Sequence, residues 1–164
     1  MGNSVRAEVV RIPLDEIARA RLEESKAEVE VAKKFIEAGL LRNAAGKAFQ
    51  AWKSYLSYLA IKNQDLFHFE GYKQLGKGLA VPRKEWVLAV VPTTMLAAIS
   101  EKLMEREPDV VELTALALIL HEYQYNGPDP SGVVSKIPSD EAARGLIQRL
   151  IHKLKEKLAT AKPP

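Results

Sequence analysis

Asn43 and Lys47 are four residues apart, and Arg42 adjoins Asn43. On a helix that spacing places an amide and an ammonium on one face, one turn apart. If a helix begins near Arg42, its first amide N–H groups lack partners and favour an anion, so the three side chains would make a phosphate cradle. Asn43 as an N-cap is the simpler reading of the same residue. His121 and Tyr125 repeat the spacing. Imidazole and phenol side by side could bind or polarise a phosphate or a base. The simpler alternative has His121 hydrogen-bonded to a carbonyl near its own helix end.

Other motifs carry less. Gly71 and Gly76 have the spacing of a phosphate-binding loop and Lys77 follows, but Gly78 stands where Ser or Thr would hold magnesium, and no strand is expected before it. The three histidines, His68, His121 and His152, share no i, i+4 pair, and His121-Glu122 lacks the second histidine of a zinc helix. No metal and no cofactor is expected. Glu23 and Glu24 fall on the outer face of a helix, and no Ser-His-Asp set stands in a persuasive context.

The elements that would position these residues are helical. Leu14, Ile17, Ala18, Leu22, Ser25, Val29, Ala32, Phe35 and Ile36 recur in steps of three and four, one face of a long helix that Gly39 stops. Ala44, Ala45, Ala48, Phe49, Trp52, Tyr55, Leu56 and Leu59 continue the period to about Asn63. With so few residues between them, the two helices must double back as an antiparallel hairpin. Residues 65–83 read as a packed connector, broken by Gly71, Gly76, Gly78 and Pro82. Pro92 and Pro108 suit first helical positions. Asn126-Gly127-Pro128 is a stop, and Ser139 caps a final helix through Leu158. The alternating stretches at residues 7–12 and 133–137 are short, without a hairpin turn beside them, so no strand is expected. The prediction is an all-α bundle of about five helices with an antiparallel N-terminal hairpin: an arm over residues 1–13, one domain over 14–158, and a frayed tail over 159–164.

Composition narrows the class. The 164 residues are 47% apolar and 27% charged, with a net charge of +3, which suits one folded domain and excludes a disordered chain. No cysteine is present, so thiolate metal sites and cysteine nucleophiles are excluded. That absence, with four Asn and five Gln, hints at a heat-living source. No secretory leader and no membrane span is expected, and a cytoplasmic protein is the default. Charge is uneven. Residues 42–84 hold eight basic residues against two acids, and residues 101–129 hold seven acids against two bases. A basic surface for a nucleotide or RNA is one reading of the first segment, and an ordinary solvated surface is the other.

The run from Phe35 to Trp52 resembles the HEPN superfamily, in which a helix ends in Gly and an alanine-rich helix follows at once. It looks most like the archaeal PaREP-type branch, to which the segment from Leu120 to Gly127 is also similar. The resemblance implies a four- to five-helix bundle, often a homodimer, in a group associated with nucleotide binding and RNA cleavage. HEPN ribonucleases carry Arg, four to six residues, then His. Here Arg149 precedes His152 with two residues between and Arg144 with seven, so no catalytic residue transfers. The leading expectation is a dimeric HEPN-like bundle that binds a nucleotide or RNA through Arg42, Asn43, Lys47, His121 and Tyr125. The alternative is an interaction module that pairs with itself or with a nucleotidyltransferase-like chain through Trp52, Tyr55, Tyr58 and Trp86. An enzyme with a small pocket near His121 is a third reading.

Overall fold

Ala18, Leu22, Ser25, Val29 and Ala32 are all buried, one stripe of helix α1 (Leu14–Glu37). The computed structural model describes residues 6–164. Gly39, at φ +74°, closes α1: its N–H donates to Ile36 and that of Leu40 to Phe35. A left-handed residue there satisfies the last carbonyls without a Cβ clash. Helix α2 (Leu41–Lys62) folds back directly, with Ala44, Ala45, Ala48 and Ala51 fully buried. Small side chains let the two backbones approach, and the Ser25 hydroxyl donates 2.8 Å to the Ala51 carbonyl between them. The predicted hairpin is present.

Helix α3 (Arg83–Val90) and helix α4 (Leu96–Leu103) meet at a sharp corner of 98°. Val91 makes that corner at φ +47°, left-handed for a β-branched residue and fully buried. Such a backbone persists only where packing holds it. Pro92, expected to begin a helix, precedes a 3₁₀ turn over Thr93–Met95 instead. Helix α5 (Val110–Asn126) runs antiparallel to α2, fixed by a Trp52 Nε1–H bond of 3.0 Å to Thr114 Oγ1. Helix α6 (Asp140–Thr160) starts at Ser139, whose Oγ accepts from Ala142 N, as expected.

Three expectations need correction. A sheet exists: β1 (Glu8–Val9), β2 (Tyr72–Gly76) and β3 (Leu79–Pro82), in the order β1-β3-β2, with β1 parallel and β2 antiparallel to β3. Lys77 and Gly78 both take positive φ between paired Gly76 and Leu79, the geometry of a two-residue hairpin turn. The glycines that mimic a phosphate loop therefore build a hairpin. Second, Trp52, Tyr55 and Tyr58 are core residues, at most 3% exposed, and cannot anchor a partner. Third, residues 159–164 are helical to Thr160, and the Tyr58 hydroxyl then holds the Lys162 carbonyl at 2.7 Å. The all-α class stands, with six α-helices and one small sheet among the described residues and one core between the helices. No single helix among the described residues is long and apolar enough to cross a membrane.

Candidate functional site

The polar positions of α2 run along its length as Arg42, Asn43, Lys47, Gln50, Lys53 and Ser54, none of them buried. α1 lies on one side of this strip and α5 on the other.

At the α2 start, Arg42 is spent on the fold. Its Nε donates 3.0 Å to the Gln124 carbonyl and its Nη2 donates to the Tyr125 carbonyl. A guanidinium there satisfies the orphan carbonyls at the negative end of α5. Asn43 is not the cap: α2 begins at Leu41, two residues earlier, and Leu40 holds the cap position without a side-chain bond. Arg42 and Asn43 line a hollow of about 270 Å³ with Tyr123 and Asp140. The Tyr123 hydroxyl donates 2.6 Å to Asp140, and burial, then that carboxylate, pushes the phenol pKa well above its usual value.

Lys47 turns the other way. Its Nζ lies 3.1 Å from Glu28 Oε2 of α1, off the line of a hydrogen bond, since that buried oxygen accepts none. His121 stacks on Phe49 with ring centroids 4.1 Å apart, and Tyr125 meets it edge-on at 5.1 Å. Tyr125 is 67% exposed. Burial lowers the His121 pKa, the Gln124 side chain opposes this, and the charge of Lys53 lowers it further. Gly46 admits Gln124: a Cβ there would sit 2.5 Å from Gln124 Nε2. Thus the structure brings Arg42 to the Tyr125 backbone and His121 to the Tyr125 ring, while Lys47 and Asn43 lie apart from both.

The residues that sequence reasoning missed lie one turn further along α2. Arg21, Glu24, Glu28, Gln50, Lys53, Ser54, Ser57 and Val90 line a recess of about 310 Å³ between α1, α2 and the end of α3. Pro92 explains how it is built. The Leu88 carbonyl would bond the amide of residue 92, but proline has none. Ser57 Oγ donates to that carbonyl at 2.6 Å instead, and Arg21 Nε and Nη2 donate to the Ala89 carbonyl at 3.0 and 2.8 Å. Arg21 Nη1 takes Glu24 at 2.8 Å. Lys53 is different. Among the described residues its ammonium has neither an ion pair nor a hydrogen bond; burial lowers its pKa first and the charge of Arg21 second. A half-buried charge is normally paired, yet the two carboxylates that line this recess, Glu24 and Glu28, lie against Arg21 and Lys47 instead. A roomier hollow of about 570 Å³ beside the N-terminal arm has no such deficit at its centre, because buried Glu85 accepts from both Arg11 Nε and Ile12 N. Among the described residues no three His, Asp or Glu side chains group as metal ligands.

A model of the archaeal PaREP1/PaREP8 family matches residues 20–148. The chain belongs to that family. The matched PaREP1/PaREP8 region begins within α1 beside Arg21 and ends within α6, so it takes in most of the hairpin, the Lys53 recess and the whole of α5. No curated protein and no solved structure matches the chain.

Proposed function

We propose that this helical domain binds a phosphate-bearing ligand, a nucleotide or RNA, with the phosphate seated on Lys53 in the recess between α1, α2 and α3. The observation that carries the reading is the unpaired, half-buried ammonium of Lys53 beside a second cation, Arg21. Bound phosphate would relieve the repulsion between them and accept hydrogen bonds from Ser54 and Gln50 on the same wall. Arg21 is oriented in advance by the Ala89 carbonyl, which reduces the ordering cost of binding. On the α5 side, His121 feels the charge of Lys53 and continues to the exposed ring of Tyr125. These rings offer a stacking surface for a base. Lys47 adds charge at the rim, and Arg42 and Asn43 stand off at the next hollow. The reading agrees with the resemblance of residues 35–52 to HEPN domains. No reaction is assigned.

The test is calorimetric titration with adenosine 5′-monophosphate at low salt. Lys53→Met should weaken binding by about tenfold or more, the scale of one lost charge-assisted contact. A wild-type protein that binds no nucleotide and no RNA overturns the proposal.

A further inference from the structure

What a second phosphate would meet around the recess separates its two possible ligands. Around it, the cations Arg21, Lys47 and Lys53 meet the carboxylates Glu24 and Glu28. Glu24 is paired with Arg21 at 2.8 Å and Glu28 with Lys47 at 3.1 Å. Lys53 therefore leaves one uncompensated positive charge. Among the described residues no other α1 cation lines the recess: Lys33 belongs to a separate hollow against α6, where it lies 3.3 Å from Glu30. Towards the α2 start, Arg42 is held by two backbone carbonyls.

A polynucleotide brings a negative charge with every residue and draws its affinity from several phosphates at once. Here the second phosphate along such a chain would meet Glu24 or Glu28 rather than another free cation, and like charges repel. Size points the same way, since about 310 Å³ lies at the small end of ligand pockets, roughly 300–1,000 Å³. The walls are helices, and the Val90 side chain closes the α3 end. We infer that the recess takes a single phosphoryl group, as on a nucleoside monophosphate or similar phosphomonoester, and gains no affinity from the further phosphates of RNA. This rests on the phosphate reading above and narrows it.

The experiment titrates the full chain with adenosine 5′-monophosphate and with an oligoadenylate of about eight residues, each at roughly 50 and 200 mM salt. The oligonucleotide is expected to bind no more than about twofold more tightly than the monophosphate, with the same shallow salt dependence of one or two contacts. Inorganic phosphate should compete with the monophosphate. The double variant E24Q/E28Q removes the repulsive rim, and its affinity for the oligonucleotide should rise about tenfold or more while that for the monophosphate rises less. An oligonucleotide bound about tenfold more tightly than the monophosphate by the wild type, with a steeper salt slope, overturns this inference but leaves the phosphate reading standing. Failure of E24Q/E28Q to favour the oligonucleotide also overturns it. Absence of binding by either probe sinks both.

Discussion

Arg42 and Lys53 sit on the same helix, three turns apart, and their fates differ. Arg42 lies against the last carbonyls of α5 and gives its donors to the backbone. Lys53 lies where α1 and α3 crowd α2, and among the described residues nothing pairs with it. The first cation is used by the fold, and the second is left without a partner. A basic residue is available to a ligand only when the protein has not already used it.

Substitutions can separate the two roles. The largest effect expected is on binding, where Lys53→Met removes the tenfold or more stated above and Arg42→Ala leaves the titration unchanged. Stability should move the other way. Urea unfolding of Arg42→Ala should show a loss of about 1 kcal/mol, since its charge-assisted bonds are exposed. Lys53→Met should match the wild type or exceed it by up to about 1 kcal/mol. Equal losses in both variants would dissolve the contrast.

Proton linkage sharpens it. The folded pKa of Lys53 lies below its usual value, so the unfolded chain binds more protons between the two values. Stability should rise with pH through that alkaline window, and Lys53→Met should remove the rise. The folded pKa of His121 is likewise lowered, so stability should fall as pH drops through the ordinary imidazole range and through the folded value beneath it. Denaturation midpoints across that range, with and without His121→Gln, measure the contribution. The smallest effect expected is at Gly46→Ala. The new Cβ must displace the flexible end of Gln124, while helix propensity gains about 1 kcal/mol, so overall stability should hardly change.

Where sequence periodicity was long, it sufficed. Ala18 to Ala32 and Ala44 to Leu59 repeat over several turns, and a Gly at position 39 leaves no choice but reversal. The sheet was illegible because its strands are two to five residues long and its turn is Lys-Gly, outside the commonest turn pairs. The archaeal family match covers the same hairpin. Sequence singled out His121 and Tyr125, and the structure puts their rings together. It passed over Lys53 and Arg21 because a lysine or arginine at the flank of an apolar face looks like any solvated cation. What distinguishes these two is a third element, α3, whose approach no helical spacing in α1 or α2 announces. Ser25, Ser54 and Ser57, small polar residues near otherwise apolar stripes, were the faint signal of close backbones and a polar seam.

Pro92 has a reach out of proportion to its size. By withholding one amide hydrogen it leaves the Leu88 carbonyl to the Ser57 hydroxyl of α2, while the left-handed turn at Val91 leaves the Ala89 carbonyl to Arg21 of α1. The recess is thus clasped by the same contacts that terminate α3. Shortening Arg21 or Ser57 would therefore reshape the recess and strip the end of α3 of its partners in one stroke.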